Sequence, residues 1–201
     1  MTNQFTTTKL WFFLTVVFFT LFIGCSTTKQ QSDQGLPVVG DFQLKVRPFL
    51  AEVDNLGRLY DVDMKNKLIN YKPDFSEQYR YADKKNGFIS RIDVTNPLKI
   101  VVFSDDFNKA VILDNTLSVI SELNFGDKFA DVTACAVSND GNLWIYDPVQ
   151  FKLIKIRDNG TVILESSNIN DFGMKNVSIY DIREKNNVVV LCDKNQGFYI
   201  F

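Results

Sequence analysis

Four aspartates, Asp61, Asp105, Asp147 and Asp193, stand 44, 42 and 46 residues apart. Carboxylates repeated at symmetric positions on one face are hard oxygen ligands of the type calcium takes, so the four are weak candidates for a metal site. Each also follows a β-rich run and precedes a few mostly polar residues. An aspartate there accepts hydrogen bonds from backbone N–H groups two residues on, which is why turns favour it. Asp63 and Asp106 add carboxylates, but no D-x-D-x-D-G loop forms. The local reading therefore leads: turn aspartates, with no metal or other cofactor expected.

Other chemistry is sparse. The 201 residues contain no histidine, which removes His-based triads, His-ligated zinc and imidazole acid–base catalysis. No G-x-S-x-G, P-loop or paired C-x-x-C occurs, so no catalytic residue is assigned. Cys135 and Cys192 are expected as free thiols in packed strands rather than as a disulfide. The net charge is −2, and gives no electrostatic case for nucleic acid. The aromatic residues Tyr79, Tyr81, Trp144, Tyr146 and Phe151 read as core or rim rather than as a sugar-stacking platform. Ser138-Asn139-Asp140-Gly141-Asn142 resembles a loop of sugar-lactone propellers, but any hairpin would use a D-G-N turn there.

The elements that must position these residues repeat with the aspartates. Gly141–Leu164 holds two short apolar runs, a turn at Asp147-Pro148 and a second turn at Asp158-Asn159-Gly160. Similar stretches lie around Asp61, Asp105 and Asp193. A four-stranded repeat of this length is a β-propeller blade. The expected fold is all-β, with antiparallel blades of about 44 residues and roughly three and three-quarters of them present. Expected second strands are apolar at every position, as in Ile100-Val101-Val102-Phe103, Leu143-Trp144-Ile145-Tyr146 and Val188-Val189-Val190-Leu191. A strand reads this way when both faces are covered, as between neighbouring blades. A β-sandwich would explain the runs but not the period. Phe201 falls in the third strand of the fourth repeat, which points to a piece of a longer protein. The alternative is closure with 41–46 supplying the missing outer strand.

The N-terminus carries an address. Leu10–Ile23 is a 14-residue apolar run, shorter than the roughly 20 residues of a membrane span and suited to a signal peptide. Gly24-Cys25 follows, and the junction resembles a bacterial lipoprotein signal, with Phe22 where leucine is usual. The resemblance implies cleavage after residue 24, lipidation of Cys25 and a membrane tether rather than a span. Removing residues 1–24 takes away Lys9 and no acidic residue, which brings the net charge to −3. No aspartate follows Cys25 directly, and Asp33 stands alone as the first acidic residue. By analogy with lipoprotein sorting, the protein is expected on the outer membrane, facing the periplasm. Residues 25–39 read as a flexible tether and 40–201 as a partial or small propeller domain.

The signal, the period and runs such as IDVTNPLKIVVFSDDFNKAVILDNTL and LWIYDPVQFKLIKI together resemble the uncharacterised propeller-type outer-membrane lipoproteins of the Bacteroidetes, and the likeness implies six- or seven-bladed-propeller-like repeats of which this chain is a truncated member. It implies a location and a fold, and no reaction. Three functional readings follow. The first is a non-enzymatic interaction module docking on an envelope protein complex. The second is a lactonase-like or metal- and ligand-binding propeller, and the third a truncated product with no function of its own.

Overall fold

A computed structural model describes residues 44, 47–173 and 176–201. The signal peptide, Cys25 and the tether lie outside the described residues. Among the described residues fifteen strands are arranged as four antiparallel sheets, the blades of a β-propeller. The first blade comprises β1 (Pro48–Val53), β2 (Leu59–Asp63), β3 (Leu68–Tyr71) and β4 (Glu77–Tyr81). The second comprises β5 (Arg91–Asn96), β6 (Lys99–Ser104), β7 (Lys109–Leu113) and β8 (Val119–Asn124). The third comprises β9 (Ala134–Val137), β10 (Leu143–Asp147), β11 (Lys152–Ile156) and β12 (Val162–Glu165). The fourth has three strands, β13 (Ile179–Lys185), β14 (Val188–Asp193) and β15 (Gly197–Ile200).

Strand order within each sheet follows the chain. The first strands β1, β5, β9 and β13 are the inner edges, because it is these that approach one another from blade to blade. The last strands form the rim, and β12 is exposed at every position. The alternating side chains of a strand serve two faces, and here each face meets a different neighbour. Tyr60, Val62 and Leu68 of the first blade pack on Ile92, Val102 and Val111 of the second. Phe103 and Ile112 of the second blade pack with Cys135, Ile145 and Ile154 of the third. Ala136, Trp144 and Leu153 of the third pack on Ile182, Val189 and Leu191 of the fourth.

The second strands β6 and β10 are buried on both faces, as their composition requires. β14 is not. Val189 and Leu191 are buried, while Val188 is exposed and Val190 half-buried. Its far face, which also carries Phe198 and Ile200 through register with Cys192 and Val190, has no apolar cluster covering it among the described residues. Of the segment 41–46 only Leu44 is described, and it lies beside the β3–β4 hairpin of the first blade with Tyr71, Phe75 and Arg80.

One aspartate is placed differently from the reading of the sequence. Asp61 does not end its strand: it sits within β2, opposite Ala51 and Ile69. Asp63 is the turn residue, and its Oδ1 accepts from the N–H groups of Lys65 (2.7 Å) and Lys67 (3.0 Å). Two aspartates two residues apart lie on the same face of the strand, so alternation alone could not separate them.

Candidate functional site

The inner strands surround a channel, and polar residues line both its mouths. At one end the turns between first and second strands converge. They enclose a cavity of about 510 Å³ lined by Asp54, Thr95, Asn96, Ser138, Asn139 and Glu184, among others. Glu184 Oε2 is saturated by the protein itself. It accepts from Ser138 Oγ (2.6 Å), Asn139 N (3.0 Å) and Trp144 Nε1 (2.7 Å). Desolvation would raise the Glu184 carboxyl, but these bonds win and hold it below its ordinary range.

Midway along, Arg183 on β13 is the hub of a charged cluster. Its guanidinium donates to Glu52 of β1 (2.6 Å) and Asp181 (3.1 Å), and stands 3.6 Å from Asp93 of β5. Asp93 in turn accepts from Val137 N of the third blade at 2.7 Å. One cation is thus shared among carboxylates from three blades. Burial works against the Arg183 charge, but the bond to Glu52 and the nearby carboxylates raise its pKa further. Glu52 is pushed the other way with respect to charge: burial raises its pKa and outweighs the help from Arg183. The neighbouring acids Asp93 and Asp181 add to both directions, after burial for Glu52 and after the Glu52 bond for Arg183.

The other mouth lies at the opposite ends of β5 and β13. Arg91, Asp105, Asp131, Thr133, Tyr180 and Lys194 line a cavity of about 340 Å³ there. Around it stand the turns that join second to third strands. Two of these turns carry a device the sequence reading missed. Asn66, at φ 64°, donates from Nδ2 to Gly87 O and accepts from Ile89 N, so the first blade grips the loop entering the second. Asn108, at φ 50°, does the same to Phe129 O and Val132 N on the way into the third. Asparagine tolerates this left-handed backbone better than most residues. The signal was present in Asp63-x-x-Asn66 and Asp105-x-x-Asn108.

The four candidate aspartates do not converge. Asp61 is buried in β2, and burial raises its pKa against a partly compensating bond from Tyr71. Its Oδ1 has no hydrogen-bond partner among the described residues. Asp105 is exposed at the second mouth and accepts from Asp106 N. Asp147 Oδ1 accepts from Val149 N and Gln150 N, and Asp193 Oδ1 from Asn195 N and Gln196 N. Desolvation alone would raise Asp193, but its backbone bonds, including one from Ser178, lower its pKa. Among the described residues no three Asp, Glu or Cys side chains are grouped as metal ligands.

The thiols are free and on different faces. Cys135 is in the cluster between second and third blades, where burial raises its pKa. Cys192 shares the uncovered face of the fourth blade with Phe198. Trp144, Tyr146 and Tyr81 are buried, and Tyr79 is exposed on the rim.

No protein-family model matches the chain, and no curated protein matches it in sequence. Solved structures do share its fold. Virginiamycin B lyase from Staphylococcus aureus superposes with a TM-score of 0.53 at 14% identity, over 77% of this chain and 55% of the lyase. BBS1N, from a complex with ARL6DN, gives 0.59 at 9% identity, over 83% of this chain and 54% of that one. The computationally designed Ika4 protein gives 0.55 at 10% identity, over 84% of this chain and 98% of that one. The chain thus spans about half the length of the lyase. At these identities the likeness establishes the β-propeller fold, which serves proteins of varied function.

Proposed function

We propose that this chain is a lipid-anchored β-propeller, held on the periplasmic side of the outer membrane through Cys25, that works as a non-enzymatic docking module for an envelope protein complex. One observation carries the docking role. The face bearing the second mouth presents Phe49, Met64, Phe88, Phe107, Val149 and Phe172, each between 40% and 64% exposed. Clamps hold this face rigid: Asn66 bonds the Gly87–Ile89 loop, and Asn168 Nδ2 bonds Gln150 O beside Val149. Apolar and aromatic side chains held on a rigid, polar-rimmed face are the residues that anchor protein partners. Arg183 supports the non-enzymatic part, because the carboxylates that meet in mid-channel already neutralise a cation of the protein. The lipoprotein reading rests on the Leu10–Ile23 run and Gly24-Cys25, together with the likeness to lipoproteins of the Bacteroidetes.

The test is recovery of partners from crosslinked native membranes. Wild-type protein is expected to bring down a stoichiometric envelope protein, and Phe107→Glu with Phe172→Glu to lose it while keeping the fold by circular dichroism. Recovery of no stoichiometric partner, or equal recovery by the double variant, would overturn the docking role. Labelling with radioactive palmitate that survives in Cys25→Ser would overturn the anchor.

A further inference from the structure

The outer edges of the blades are not alike. β4, β8 and β12 each carry a carboxylate, Glu77, Glu122 and Glu165. Each is also joined to its inner neighbour through a register shift, at Asn70/Tyr71, Ile112/Leu113 and Lys155/Ile156. Charges and bulges are the devices that keep an edge strand from pairing with another chain. β15 has neither. Its residues Gly197–Ile200 are uncharged, and its register with β14 runs unbroken from Asp193↔Gly197 to Val190↔Ile200. Among the described residues no strand pairs with its outer side. Phe201 and Val189 exchange both backbone hydrogen bonds, so by alternation the N–H and C=O groups of Phe198 and Ile200 point away from β14. Their side chains are 66% and 64% exposed.

We propose that β15 is a homotypic interface, through which two copies of this chain pair antiparallel about a twofold axis. The second copy is the occupant that the edges select. Its own β4, β8 and β12 are blunted in the same way, which leaves β15 as the open rim edge among the described residues. Antiparallel pairing centred on Tyr199 sets Phe198 of each copy opposite Ile200 of the other. The outward N–H and C=O groups of each strand then meet their complements. An aromatic and a β-branched side chain become cross-strand neighbours, and no like charges are opposed. Pairing consumes the edge on both copies, so assembly stops at two. So short an edge makes a weak, transient interface rather than an obligate one. The inference is independent of the docking role, whose aromatic residues lie on the face of the second mouth.

The test is sedimentation velocity of the full-length protein in density-matched detergent, over about 1–500 µM, where weak interfaces associate. The wild type is expected to pass from one copy per particle to two. Hydrogen exchange at the Phe198 and Ile200 amides should be fast in the dilute protein and roughly tenfold slower in the concentrated one. Ile200→Pro removes an outward donor that the chain's own sheet does not use, and should abolish association while keeping the circular dichroism spectrum. Phe198→Lys supplies the missing edge charge and should weaken association by roughly tenfold or more. It provides a second reading if Ile200→Pro does not fold. Phe107→Glu with Phe172→Glu should leave association unchanged. Single copies at every concentration, or undiminished association by the folded edge variants, would overturn the proposal. So would Phe198 and Ile200 amides that already exchange slowly in the dilute protein, the mark of a strand from the same chain on this edge.

Discussion

Three of the seams between blades are apolar, and the fourth is ionic. From first to second, second to third and third to fourth, buried clusters fill the space between sheets. Between the fourth blade and the first, the described contact is Arg183 with Glu52, 131 residues apart in the chain. Burying apolar surface stabilises at about 25 cal/mol per Å², whereas a partly exposed ion pair contributes about 1 kcal/mol or less. The comparison teaches that propeller blades need not be joined alike. Stability concentrates in the middle seams, while the ionic one governs alignment around the channel.

The largest effect should come from the middle of the stack. Phe103→Ala empties the cluster between second and third blades and is expected to cost about 3–5 kcal/mol. Phe198→Ala, on the uncovered face of the fourth, should change stability by about 0.5 kcal/mol or less. Urea unfolding of the two variants checks this, and equal losses would break the distinction between seams. Next, Arg183→Gln leaves Glu52, Asp93 and Asp181 without their shared cation. A loss of about 1–3 kcal/mol is expected, discounted from a fully buried pair because the guanidinium side chain is 35% exposed. A double-mutant cycle with Glu52→Gln measures the pair itself, and a coupling near zero would remove the ionic seam from the account.

The smallest effect sharpens the comparison through pH. Asp61 has its pKa raised by burial, so its contribution favours the fold when protonated and is lost as pH rises through the raised folded-state value. Asp61→Asn should therefore raise the melting temperature by about 2–4 °C at pH 7, and the gain should shrink as pH falls toward 4 and below. Asp193, whose pKa is lowered, has the opposite sign: its contribution is present above the ordinary carboxylate value and is lost as pH falls. Melting curves of Asp61→Asn and Asp193→Asn across pH 3–7 should diverge in these two directions, and parallel curves would contradict both assignments.

Much of the fold was legible because local patterns carried it. β6, β7 and β11 have the bounds that their apolar runs and flanking turns suggest, and β4 has the mixed composition of an exposed rim strand. The misplacement of Asp61 shows where local pattern fails. LYDVD offers two aspartates to one turn, and only the bonds to Lys65 and Lys67 choose Asp63. β14 teaches the complementary lesson. Its composition suits burial on both faces, but composition does not say whether a neighbouring sheet is there to cover each. The channel was least legible of all, since Glu52, Asp93, Asp181 and Arg183 come from three strands in three blades. Arg91 and Thr133 line one cavity only because β5 and the segment leading into β9 lie at the inner edges of successive sheets.

The asparagine clamps have a consequence for how such a protein can change its length over generations. Each reaches forward, from a turn of one blade into the loop that enters the next. A sheet duplicated or deleted by itself would arrive without the loop that receives its predecessor's grip. The heritable module is therefore offset from the visible one: it is the sheet together with the loop that enters it, which the preceding blade's asparagine grips. Recombination that respects this offset adds or removes a whole blade with its attachment intact, while a cut at the sheet boundary leaves a hook with nothing to hold.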